Sequence, residues 1–234
     1  MNKLAKIMLP LLCLGLLTGC AIKRDNMEIH DACLENSGTV VIAQIEGFEK
    51  PGFYMDGQQG LVDFAINKVV TGGACDAVEA IDTKPIIQEG YYKSFGNTFE
   101  SHCFKVKELR EPLKRSKLQD HAVSDAKFAP YDFTFLKKEY DADYALILDP
   151  RQFGTTRKYY GFIPMGRPKP LSVFTLYLVD LKDGSLKGHY NSDTLLDGPE
   201  DWDSPPTFKP LVDSIVRLLE KGLDDAHLYL CGDK

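Results

Sequence analysis

The chain lacks an apolar run long enough to cross a bilayer. Its longest one, Ile7 to Leu17, has eleven residues and is broken by Pro10 and Gly15, whereas a spanning helix needs about 20. None of the six cysteines forms a C-x-x-C pair, so no redox motif or zinc knuckle is indicated. The histidines, His30, His102, His121, His189 and His227, include no i, i+4 pair that would set two imidazoles on one helix face. G-x-S-x-G, H-E-x-x-H and a phosphate-binding glycine loop are all missing. No catalytic residue, metal ligand or cofactor is therefore proposed from motifs, although a triad needs only spatial proximity. A basic excess is also missing: 28 Lys and Arg stand against 34 Asp and Glu, for a net charge of −6. That balance argues against nucleic acid and against electrostatic adhesion to anionic lipid. No internal repeat or low-complexity tract is present.

What is present begins with a leader. Residues 1–19 carry Lys3 and Lys6 and then the short apolar run, the build of a secretory signal. Leu17-Thr18-Gly19-Cys20 resembles the lipobox of bacterial lipoproteins. The resemblance implies cleavage before Cys20, whose thiol takes a diacylglycerol and whose new amino terminus takes a further acyl chain. Several chains make a stable anchor where one would not. Ala21, and not aspartate, follows the cysteine, so the implied destination is the outer membrane on its periplasmic face. Cleavage leaves 215 of the 234 residues, and loss of Lys3 and Lys6 leaves 26 bases against 34 acids, a net charge of −8. Residues 20–38, mixing Lys23 and Arg24 with Asp25, Glu28, Asp31 and Glu35, read as the lipidated cysteine and a solvated tether. Residues 39–234 read as one periplasmic domain, long enough for a sizeable core.

With Cys13 removed and Cys20 acylated, Cys33, Cys75, Cys103 and Cys231 remain. An even number in an oxidising compartment favours two disulfides, with three possible connectivities. Cys33 and Cys231 flank the domain, and domain ends often lie close together. The pairing expected is Cys33 with Cys231 and Cys75 with Cys103.

Residues 39–48 are β-branched and apolar, a strand ended by Gly47 and Pro51-Gly52. Leu61, Phe64, Ala65, Ile66, Val69 and Val70 recur at helical spacing up to Gly72-Gly73. A second helix is predicted over 91–102, an alternating strand over 103–109, a charged loop over 110–125 and a short helix over 133–140. Residues 143–149, "DYALILD", read as a strand buried on both faces. Residues 170–181 form a long strand, Asp183-Gly184 a hairpin turn, and residues 186–190 the return. Residues 209–223 make a last helix, with Pro210 in its first turn. The fold class is α/β (α+β): a single domain with a mixed sheet of about five strands and helices packed on it.

"YDADYALIL", residues 140–148, and "FTLYLVDLKDGSLKGHY", residues 174–190, together resemble periplasmic domains of the TolB amino-terminal and CsgG-like group. The likeness runs from Phe104 to Leu219, and the strand at 39–48 fits that group's opening strand. It implies an accessory domain, often on an outer-membrane lipoprotein, that binds other proteins in an envelope assembly. The chain departs from the pattern in its "LDP" after the 143–149 strand and in its extra cysteines.

Two surface stretches remain. The acidic loop with Asp193, Asp197, Glu200, Asp201 and Asp203 offers hard oxygens suited to calcium, but its spacing is not that of an EF-hand loop. Its prolines suggest a stiff connector. Residues 151–169, "RQFGTTRKYYGFIPMGRPK", hold five bases and no acid. They fall between two predicted strands that a short hairpin could join. Arg157, Tyr159, Tyr160, Phe162, Ile163, Met165 and Arg167 are residue types enriched at binding hot spots. Either they extend the strands and cap the core, or they form an exposed tip that docks a protein, a glycan or lipid. The expected function is that of a non-catalytic, membrane-anchored lipoprotein with an envelope protein partner. The alternative is a small-ligand carrier or hydrolase with a pocket between sheet and helices.

Overall fold

In a computed structural model, residues 25–29, 38–58, 60–122 and 125–232 are described. The leader, the Cys20 lipobox and Cys33 lie outside them. Strand β1 (Thr39–Ile45) is buried at Val40, Val41, Ile42, Ala43 and Ile45, as its unbroken apolar run requires of a strand covered on both sides. β1 pairs in parallel with β3 (Lys105–Leu113) on one side and with the first part of β4 (Tyr144–Tyr160) on the other. β4 pairs antiparallel with β5 (Ile163–Asp180), and β5 with β6 (Leu186–Leu195). β2 (Gly52–Gln58) pairs in parallel with the far part of β4, from Gly52 opposite Gly154 to Gln58 opposite Tyr160. The result is a mixed six-stranded sheet in the order β3-β1-β4-β5-β6, with β2 beside β4.

Strand alternation sorts the core into two layers. Val40, Ile42, Leu146, Leu148, Phe174, Leu176 and Leu178 meet the helices of one layer. There, α3 (Lys84–Ile87) runs through a π-helical stretch (Gln88–Lys93) into α4 (Ser94–Ser101), bringing Tyr91, Phe95 and Phe99 inward. Beside them lies α6 (Lys209–Cys231), which buries Leu211, Ile215, Leu219 and Leu223 at helical spacing. Tyr91 fixes this layer to the sheet: its hydroxyl lies 2.9 Å from Ala43 O of β1 and 2.8 Å from Leu146 O of β4. On the opposite face Val41, Ala43, Ile45, Ala145, Ile147, Tyr177 and Val179 pack under Phe133 and Leu136 of the segment leading through α5 (Phe135–Tyr140).

The single mixed α/β domain is as expected from the sequence, with one strand more than expected. β2 was hidden by Pro51-Gly52, which read as a turn. The helix α1 (Leu61–Val70) does end near Gly72-Gly73, but a further helix, α2 (Gly72–Glu79), starts there. The helix expected over 91–102 begins earlier, at Lys84. β3 continues to Leu113, and residues 151–169 belong mostly to β4 and β5. Residues 25–29, assigned to the tether, dock on β6: Met27 N donates to His189 O at 2.7 Å, and Ile29 is buried in the core.

Candidate functional site

β6 ends at Leu195, opposite Leu171. Beyond that level β4 and β5 run on as an arm, with β2 the one further strand paired to it among the described residues, and turn at Gly161-Phe162. Gly154 carries the bend toward β2. Its φ is 133°, and a Cβ there would overlap Gly52 O, so glycine is what lets the two backbones approach. Gly161, at φ 59°, closes the turn.

Register decides which arm residues face outward. Lys158 pairs with Met165, Tyr159 with Pro164, and Tyr160 with Ile163, and paired residues share a face. One face therefore presents Lys158, Tyr160, Ile163 and Met165; Tyr160 is 71% exposed, Met165 57% and Ile163 50%, with Phe162 at the turn 58%. The opposite face carries Arg157 and Tyr159. Arg157 stacks its guanidinium 4.7 Å from the Trp202 ring centre and 5.9 Å from that of Tyr159. Its Nε donates to Gly166 O at 2.8 Å. Tyr159 is buried, and burial pushes its hydroxyl pKa up against the pull of Arg157.

Of the residues picked from the sequence, Tyr160, Phe162, Ile163 and Met165 are brought together on the open end of the arm. Tyr159 requires a correction: strand alternation turns it inward, so it presents no contact surface. Arg157 and Arg167 are engaged within the chain. Arg167 pairs with Glu200 at 3.3 Å, and Lys169 with Asp197 at 2.7 Å. The acidic loop thus folds back on the bases of the arm, and Lys169 holds the Asp197 carboxyl below its usual range. Among the described residues no cluster of His, Cys, Asp and Glu could hold a metal ion.

At the root of the arm the structure assembles a group that the sequence did not reveal. Asp149, fully buried, pairs with Arg115 and with Arg151, each at 2.7 Å. Arg115 also donates to Pro150 O at 2.8 Å and to Tyr131 Oη at 3.3 Å, while its backbone N–H donates to Glu46 Oε1 at 3.1 Å. Burial pushes the Asp149 carboxyl upward and the two guanidiniums pull it back. Burial acts against the charge of Arg115 too, yet its bonds to Asp149 and Tyr131 raise it overall. The signal in the sequence was an acid closing the apolar run "YALILD".

A cavity of about 490 Å³ opens between α4 and α6, lined by Thr98, His102, Asp224, Asp225, His227 and Cys231 among others. His227 Nε2 lies 2.8 Å from Thr98 Oγ1. Burial pushes the Cys231 thiol up to about 12, so it stays protonated near neutrality and lacks the thiolate that nucleophilic chemistry uses.

No disulfide joins the described cysteines. The expected Cys75–Cys103 bond is not formed because the two residues sit on different parts of the sheet. Cys75 lies on α2, which packs on β2, with its Sγ 3.6 Å from Thr71 Oγ1. Cys103 is exposed just before β3, which begins beside Thr39 at the end of the sheet away from β2. Alkylation of the folded protein without reductant, read by peptide mass, is expected to modify Cys103 fully and Cys75 more slowly. A peptide pair linked through these two residues would contradict the placement.

Together these features define an α/β domain with a projecting arm, held at its root by a buried Arg-Asp-Arg group. No protein-family model and no curated protein matches the sequence. Similar solved structures include protein XCC0632 from Xanthomonas campestris, at 10% identity and a TM-score of 0.38, covering 81% of this chain and 83% of that one. Protein CT253 from Chlamydia trachomatis is 10% identical with a TM-score of 0.35, covering 83% and 99%. Lipoprotein GNA1162 from Neisseria meningitidis is 12% identical with a TM-score of 0.27, covering 78% and 99%. Likenesses of this size carry no functional conclusion. Among the described residues no helix is long and apolar enough to cross a membrane.

Proposed function

We propose that this chain is a non-catalytic lipoprotein of a bacterial cell envelope, fastened through Cys20 on the periplasmic side of the outer membrane, which binds a protein partner through its arm. The observation that carries the reading is the open arm face, where Tyr160, Ile163 and Met165 stand exposed beside Lys158. A soluble domain seldom leaves adjoining large apolar side chains uncovered unless something docks there. An aromatic and a methionine at the centre of such a patch suit a protein hot spot. The Arg157–Trp202 stack and the two ion pairs to the acidic loop stiffen the arm from behind, which lowers the ordering cost of binding.

The test is crosslinking in intact envelopes followed by affinity recovery, comparing the parent chain with a Tyr160→Ala, Ile163→Ala, Met165→Ala variant. The expected result is loss of the crosslinked partner with an unchanged denaturation midpoint, since surface substitutions of this kind shift stability by no more than about 0.5 kcal/mol each. Recovery of the same partner in the same yield would overturn the reading.

A further inference from the structure

Helix α1 is inside out. Its polar residues Asp63, Asn67 and Thr71, four apart and so on one face, turn toward the protein. Asn67 is 2% exposed and its Nδ2 donates to Gly161 O at 3.1 Å, Thr71 is 4% exposed, and the Asp63 carboxylate accepts from Gly60 N at 3.0 Å. Five of its apolar residues face away: Leu61 is 91% exposed, Val69 82%, Val70 75%, Val62 71% and Ile66 43%. An ordinary surface helix points its apolar stripe at the core. This one spends its polar face on gripping the arm turn and presents aliphatic surface outward.

We propose that the outward face of α1 lies in the interfacial layer of a phospholipid bilayer. This rests on the anchored placement proposed above and adds a second, non-covalent contact to it. The side-chain types favour lipid over protein. Leu and Val are under-represented at protein hot spots, where Trp, Tyr and Arg dominate, whereas aliphatic residues partition readily into hydrocarbon. Ten residues make a helix about 15 Å long, too short to span but suited to lying in the interface plane. Phe162, 58% exposed, follows the turn residue that Asn67 holds, so an exposed aromatic ring, a type enriched at membrane–water boundaries, lies next in the chain to the turn that the helix grips.

The amino-terminal segment agrees with this placement. Met27 bridges His189 antiparallel to β6, and β6 runs toward the arm end of the sheet. The segment's beginning, at Asp25, therefore points toward the arm. Cys20 precedes Asp25 by five residues, a reach of at most about 18 Å. The bilayer holding an acylated Cys20 is thus kept close to the domain. Because the chain is acidic, the contact is apolar and not electrostatic, and uncharged lipid should suffice.

The test reconstitutes the full chain, through its own anchor, into vesicles of phosphatidylcholine and phosphatidylethanolamine. Tryptophan is placed at Val69→Trp or, separately, at Leu61→Trp, and the parent with Trp202 alone sets the background. Both positions are so exposed that folding should tolerate the change. The added emission should shift to the blue and be mostly lost when the acyl chains carry bromine. Emission unchanged from that in buffer overturns the proposal. A blue shift without bromine quenching also overturns it, by showing that a protein surface or a second copy covers α1. The mass of the amino-terminal peptide separates two failures: an acylated chain with an unquenched probe defeats only the placement of α1, whereas an unacylated chain defeats the anchor. In the latter case quenching on simply adding vesicles still decides whether α1 meets lipid.

Discussion

Replacing Asp149 with alanine is expected to lower the unfolding free energy by about 3–5 kcal/mol, the loss found when one partner of a buried ion pair is removed. The carboxylate is fully buried between two guanidiniums at 2.7 Å, and its removal leaves like charges facing each other with no counter-ion. The side chains of Arg115 and Arg151 are 31% and 41% exposed, so solvent screens part of their repulsion and the result should fall toward the lower bound. The same group ties together three strands, through Glu46 just after β1, Arg115 just after β3 and Asp149 within β4. Its loss should therefore also speed amide exchange in the arm beyond Pro150. Denaturant titration gives the first quantity and exchange the second. A second variant, with Asp149→Leu, Arg115→Met and Arg151→Met together, should recover part of the stability, because an apolar group of similar volume can replace an ion cluster. A midpoint unchanged in the alanine variant would mean that the network is only a surface decoration.

What was legible in the sequence depended on how local the determining interaction was. β1, the inner part of β4, the Asp183-Gly184 hairpin and α6 each carry their own signal: a β-branched run, a continuous apolar run, a turn dipeptide, and a helical stripe opened by Pro210. β2 carries almost none. Gly52 and Gly57 read as breakers, yet a Cβ at Gly57 would overlap Tyr159 O of β4 and Gly52 lies against Gly154, each about a hundred residues away in the chain. The arm was masked for a related reason. Register shifts between Pro150 and Gln152 and between Thr156 and Lys158 break the period-two alternation, so the sequence left open whether these residues extend the strands or form a loop tip.

The candidate surface was half legible for the same reason. Composition singled out residues 151–169, but only the register could separate outward Tyr160 from inward Tyr159. The pairing of Asp149 with Arg115 joins residues 34 apart, and no spacing rule reaches that far. The orientation of α1 is subtler still. Its helical periodicity was plain, and the natural reading of an apolar stripe is a buried one; the stripe in fact faces out because Asn67 and Thr71 turn inward, Asn67 bonding to the arm turn.

The core makes the other large demand. Phe174→Ala is expected to cost about 3–5 kcal/mol, the range for emptying a buried aromatic site. Phe174 is fully buried at the point where β5 meets α6, with its ring centre 6.2 Å from that of Phe48, which in turn meets Phe153 edge-on at 5.5 Å. Facing it on α6 is Gly222, where a Cβ would lie 3.0 Å from Phe174 Cε1. The helix sits this close because the glycine has no side chain. It follows that the cavity left by alanine is bounded at Gly222 by helix backbone, with no side chain at that position to swing in, so the loss should lie in the upper half of the range. Phe162→Ala, the same chemical change at the exposed arm turn, should alter stability by no more than about 0.5 kcal/mol. Urea titration of the two variants, at equal denaturant slope, makes the comparison direct. A Phe174→Ala loss below about 1 kcal/mol would mean that α6 is not seated on β5 through this glycine, and with it the helical layer that backs the sheet would need to be rebuilt.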